Sequence, residues 1–200
     1  MPAAVRASAD FFDQLTYELL ALRVKAQQRF RPLSAEELNR RAGPSRWSAG
    51  QCLEHLNIVG GYYLPSMAAR IKRAQNRGAK PAPTAKQGFV GRRMIEAMRT
   101  PASVKPSVSP QRFAPTGHRL TRTVAEVFSR QLDELLRLTL LARQINANTV
   151  RIPNAVFPLL MLRLTDQLEL MVTHIQRHVA QAEEVLRTVP APVETRGSVR

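Results

Sequence analysis

Two histidines, His174 and His178, stand four residues apart in Thr173-His174-Ile175-Gln176-Arg177-His178, inside a segment of helical periodicity. On a helix that spacing stacks both side chains on one face, one turn apart. Two neutral imidazoles held this way can ligate one metal ion. A third histidine, His55 in Cys52-Leu53-Glu54-His55-Leu56, would complete a three-ligand set with a coordination position left free. That is the arrangement of catalytic rather than structural metal sites. The plainer alternative is a set of helix-edge histidines in ordinary hydrogen bonds, and spacing alone leaves both readings open.

Holding three imidazoles together needs rigid elements, and the hydrophobic pattern predicts four long helices. The first starts near Ser8, carries Phe12, Leu15, Leu19, Leu22 and Ala26 on one face, and should stop before Pro32. Ser34-Ala35-Glu36-Glu37 has capping-box form and predicts a short helix to about Arg40, broken by Gly43-Pro44. A second capping box, Ser48-Ala49-Gly50-Gln51, opens the second long helix, whose inward residues are Leu53, Leu56, Val59, Tyr63 and Met67. Trp47 precedes the cap, where it can pack back as a hydrophobic staple. Gly60-Gly61 leaves room for a close neighbour, and Pro65 predicts a kink.

From about Arg77 to Leu120 the chain is rich in Pro, Ala, Lys and Arg, with one helical island over Phe89 to Met98. A connection of this length can run back along a helix of about 25 residues, roughly 37 Å, which would set the third long helix parallel to the second. That third helix opens at Thr123-Val124-Ala125-Glu126, with Val124, Val127, Phe128, Leu132, Leu135, Leu136 and Ile145 as its stripe. After a turn through Pro153, Pro158 suits the first position of the fourth helix. That helix runs to about Arg187 and buries Leu164, Leu168, Met171, Ile175, Val179, Ala182 and Leu186. No strand-like alternation stands out. The expectation is an all-α chain, a four-helix bundle with one long crossover connection. It forms one domain over 1–188, with the basic crossover at 77–120 within it and a frayed tail at 189–200.

The net charge of +15 on 200 residues suggests a nucleic-acid partner until its distribution is read. Thirteen Lys/Arg but only one acid, Glu96, lie between Arg70 and Arg122. The excess therefore sits in the crossover rather than along a helix face. Such a region can meet phosphate or an anionic surface, but a solvated loop is the simpler account. Phe89 and Phe113 are too few aromatics for base stacking, which argues against nucleic acid. The single cysteine, Cys52, excludes an internal disulfide framework and reads as a small buried hydrophobe. No run approaches the roughly 18 apolar residues of a membrane span, and the N-terminal segment lacks signal-peptide form. The reading is a cytoplasmic protein, with a homodimer as the default oligomer.

Trp47-Ser48 leading into Glu54-His55-Leu56, then Pro153, Leu164-Thr165-Asp166-Gln167-Leu168 and His174 to Gln181, together resemble the DinB/YfiT-like superfamily. The resemblance covers Leu15 to Leu186 and is weakest between Arg77 and Arg112. It implies a four-helix bundle of up-down-down-up topology. It also implies a divalent metal, zinc or nickel before iron or manganese, held by one histidine of the second helix and two of the fourth. Those positions fall on His55, His174 and His178. For some relatives it implies transfer of a low-molecular-weight thiol, such as bacillithiol or mycothiol, to an electrophile. A metal with an open position can lower the pKa of a bound thiol, or of a water in a hydrolase. The rival reading is a non-catalytic bundle that binds a ligand or dimerises.

Around the trio, Gln51 is read as a cap partner, Glu54 as an inter-helix or surface residue, and Tyr62 and Tyr63 as pocket or core. Arg177 points off the ligand face toward another helix, while Gln181 follows the family pattern. Asp166 and Glu169 can orient an imidazole only if packing brings them round. His118, in a loop, fits no ligand spacing.

Overall fold

The computed structural model describes residues 5–99, 109–117, 119–157 and 159–189. Strand β1 (Val5–Ala7) runs straight into helix α1 (Ser8–Lys25), which ends in a π-helical turn over Ala26–Phe30. No side chain caps α1; the carbonyl of Pro83 instead accepts from the Ser8 N–H at 2.9 Å. Both predicted capping boxes form. Ser34 opens α2 (Ala35–Asn39) and Ser48 opens α3 (Ala49–Asn76), each exchanging side-chain and backbone bonds with the residue three positions on. The crossover holds β2 (Thr84–Lys86), paired antiparallel with β1, and α4 (Phe89–Arg99), the expected helical island. Then come a 3-10 turn at Gln111–Phe113, α5 (Thr123–Ala142), the antiparallel pair β3 (Arg151–Pro153) and β4 (Met161–Arg163), and α6 (Leu164–Thr188).

Helix directions follow from which ends touch. Asp13 of α1 pairs with Arg143 just past α5, and Arg23 with Asp133, so α1 and α5 are antiparallel. Arg6 reaches Glu169 and Lys25 reaches Glu183, so α1 and α6 are parallel. Asn57 donates to the Val124 carbonyl while Gly60 lies against the side chain of Gln131, so α3 and α5 are parallel. The result is an up-down-down-up bundle in which α1 and α3 each pack on both α5 and α6. Leu15, Leu19, Leu53, Met67, Leu132, Leu135, Leu168 and Val172 fill its centre. Each such side chain contributes about 1.5–3 kcal/mol relative to exposure.

Several elements differ from the sequence expectation. Strands β1 to β4 are each three residues long, too short to show alternation. The β3–β4 hairpin takes the stretch expected to begin the fourth helix, so α6 starts at Leu164. Pro158, like His118 and the tail from 190, lies outside the described residues. Ile145 is buried beyond the end of α5 rather than within it. Helix α3 continues through Pro65, which is exposed together with Gly61, the residue whose carbonyl the proline leaves without its helical donor. Gly60 does admit a close neighbour: the amide of Gln131 fills the space a Cβ would need and donates to the Asn57 carbonyl at 3.0 Å.

The crossover is fastened to α6 by two buried carboxylates. Asp166 accepts from the Gly88 N–H at 2.9 Å, and its side chain occupies the space that a Cβ on Gly91 would take. Glu169 accepts from Arg6 and Arg99, each at 2.7 Å, and from the Gln87 amide. One side chain thus ties α6 to β1 and α4.

Candidate metal centre

His55 lies two turns into α3, and His174 and His178 sit on successive turns of α6. Because these two helices pack together, the inner edges predicted for the three residues meet. The ring centroids are 5.0 Å apart for His55–His174, 4.5 Å for His55–His178 and 4.6 Å for His174–His178. One ligand atom from each lies within 4.8 Å of the others, and no further His, Cys, Asp or Glu among the described residues joins the group.

The outer hydrogen bonds decide which nitrogens face inward. His55 Nδ1 is 2.7 Å from the carbonyl oxygen of Phe113. A carbonyl can only accept, so Nδ1 carries the hydrogen and Nε2 keeps its lone pair. That Nε2 is 3.1 Å from His174 Nε2. His178 Nδ1 is 3.1 Å from Gln181 Oε1, which likewise leaves its Nε2 as a lone-pair donor.

All three imidazoles are held neutral. Burial lowers the pKa of His55, against the bond to Phe113, which raises it. His174 is pushed well below the usual imidazole range by burial, and then by the charges of His178, His55 and Arg177. Burial, helped by His55, brings His178 down to about 3 despite the bond to Gln181. Metal ligation requires this neutral form.

The donor set fits a divalent ion. Tetrahedral coordination at metal–nitrogen distances of about 2.05 Å sets ligand nitrogens about 3.3 Å apart. His55 and His174 already stand close to that separation. With three imidazoles and no fourth protein ligand in the described group, one coordination position is left for an exogenous molecule.

The remaining candidates have other work. Gln51 completes the α3 capping box and donates to the Gly117 carbonyl at 3.1 Å. Glu54 accepts from the Gly117 N–H at 3.1 Å, so it grips the crossover rather than His55. Cys52 is wholly buried and its thiol is pushed up to about 12, which keeps it protonated and apolar in behaviour. Tyr63 is core, its hydroxyl accepting from the Ala155 N–H at 2.9 Å, while the exposed Tyr62 packs edge-on to Phe113. Arg177 reaches α4, donating to the Met98 carbonyl at 3.5 Å. Asp166 and Glu169 hold the crossover and touch no imidazole.

Three further residues contribute to the site beyond the histidines, and only one of them carries a signal in the sequence. Trp47, expected as a staple, lies against the imidazoles, 5.1 Å from His55 and 5.8 Å from His178 at 27°. Phe113 acts through its backbone carbonyl, which leaves no trace in side-chain chemistry. Gln181 was detectable: it stands three residues after His178, one helical turn away.

A family model of the DinB superfamily matches residues 18–182, from within α1 to near the end of α6. No curated protein and no solved structure matches the chain. The family match spans all four bundle helices and takes in His55, His174 and His178, and on that ground the chain belongs to the DinB superfamily.

Proposed function

We propose that this protein is a metal-dependent enzyme whose divalent ion, zinc or nickel, is held by His55, His174 and His178. The observation that carries the reading is that two of the three rings turn an N–H outward, to the Phe113 carbonyl and the Gln181 amide, and so direct Nε2 inward. Such outward bonds fix ring orientation and raise ligand basicity. When bound, the ion supplies Lewis acidity that turns a coordinated thiol or water into a nucleophile near neutral pH.

The substrate we favour is a low-molecular-weight thiol, transferred to an electrophile, with hydrolysis as the second reaction class. An open surface depression lined by Pro110, Gln111, Arg112 and Val156 adjoins the segment whose Phe113 carbonyl holds His55. Arg112 offers a cation there to an acidic substituent of the substrate. A reducing cytoplasm, where such thiols persist, agrees with the lone buried Cys52.

Elemental analysis of untagged protein tests the reading. About one zinc or nickel per chain, lost in His174→Ala, is expected. Metal-free protein that gains no metal on dialysis against either ion would overturn it. A panel of thiols and electrophiles, scored for metal-dependent product, then separates transfer from hydrolysis.

A further inference from the structure

Arg151 and Arg163 are register partners across the β3–β4 ladder. Residues directly opposite one another in an antiparallel pair share a face, and like charges so placed destabilise it. Both arginines line one cleft of about 540 Å3, joined by Lys86 of β2. The rest of the lining is uncharged, so three cationic side chains and no carboxylate line it.

The walls of this cleft are fixed. Asn148 uses both ends of its amide to hold β2, accepting from the Lys86 N–H at 2.8 Å and donating to the Thr84 carbonyl at 2.7 Å. Arg163 Nη1 donates to the Lys86 carbonyl at 3.4 Å. Asp166, three residues on in α6, gives its carboxylate to the Gly88 N–H and lies outside the lining, but it offsets part of the Arg163 charge from behind. The cleft is separate from the histidines: His174 is about 15 Å along α6 from Leu164, at 1.5 Å per residue.

We propose that this cleft binds a phosphate-bearing small molecule, with Arg151, Arg163 and Lys86 as its cationic contacts. Guanidinium forks match phosphate oxygens in pairs, and an ammonium adds a point charge beside them. Three converging cations select a dianion or higher. The volume is that of a small-molecule site, whereas a nucleic-acid strand needs a longer cationic track with aromatic platforms. An anion seated between the two arginines also relieves their repulsion.

The test is calorimetric titration of the full chain, treated with EDTA, with inorganic pyrophosphate. Saturable one-to-one binding is expected, weakened tenfold or more by Arg151→Gln and, independently, by Lys86→Gln. His174→Ala should leave it unchanged, which separates this cleft from the candidate metal centre. Arg151→Gln should also keep or raise the Tm of the ligand-free protein while reducing the upward shift that pyrophosphate causes. Vesicles containing phosphatidate identify the source of the phosphate: binding to them that is lost in Arg151→Gln assigns a lipid headgroup, and pyrophosphate binding without vesicle binding assigns a free ligand. Absence of saturable pyrophosphate binding, unchanged affinity in both variants, or tighter binding of a single-stranded oligonucleotide overturns the proposal.

Discussion

His55 on α3 gives its Nδ1 hydrogen to the carbonyl oxygen of Phe113, 2.7 Å away in the crossover. A loop residue thereby sets the tautomer of an imidazole on a bundle helix. His178 and Gln181 form the corresponding pair within α6, at 3.1 Å.

Gln181→Ala removes the acceptor that orients His178 and leaves all three histidines in place. Metal affinity should fall about 10- to 100-fold, measured by competition with a chelator of known affinity. Helix content should be unchanged. An affinity equal to wild type would show that packing alone orients the ring.

Stability of the metal-free protein should fall with acid. Each imidazole titrates below its ordinary value of 6.5 in the folded chain. Below that pH the unfolded chain takes up protons that the folded centre refuses, so stability is greatest above it. The loss contributed by His178 continues down to about pH 3. The slope is up to about 1.4 kcal/mol per pH unit for each imidazole. Urea unfolding at pH 7 and pH 5, without metal, measures it; equal stability at the two values would contradict the buried neutral centre.

Trp47 is the single tryptophan of the chain and lies against both His55 and His178. Its fluorescence therefore reports on the centre alone. Titration with nickel should quench it with an end point near one ion per chain, and His178→Ala should abolish the sharp end point. A flat titration would separate metal binding from these rings.

Gly91→Ala places a methyl group against the buried Asp166 side chain. Overpacking of this kind costs about 1–3 kcal/mol, and the same clash should loosen α4 from α6. Thermal unfolding gives the first effect, and faster amide exchange over 89–99 gives the second. The substitution at Gly61, where a Cβ meets nothing within 4 Å, is the control and should stabilise α3 by up to about 1 kcal/mol.

The sequence alone revealed what depends on covalent spacing. His174 and His178 are one turn apart whatever the helix packs against, and the stripe through Met171, Ile175 and Val179 sets the side they face. The capping boxes at Ser34 and Ser48 were equally plain, because each is closed within four residues. What stayed hidden is whatever is set by tertiary pairing or by backbone atoms. Strands β3 and β4 exist because Arg151, Ile152 and Pro153 meet Arg163, Leu162 and Met161, and three residues carry no period. Asp166 and Glu169 could orient an imidazole only if packing brought them round, and their position on the helix turns them to the start of α4 and to β1 instead. Trp47 is legible as a residue beside the α3 cap, but its contact with His178 is not, since no local rule anticipates a neighbour from α6.

His55 and His174 are separated by 119 positions in the chain. During synthesis α1 and α3 leave the ribosome well before α6 exists, so for most of that interval His55 is a solitary imidazole on an unfinished bundle. Capture of an ion by all three histidines, as proposed, would have to wait for the last helix to dock, at which point two ligands arrive together. Under the proposed metal reading, occupancy of the centre would be a signature of completed folding, and a nascent or misassembled chain would not sequester metal before its fourth bundle helix is in place.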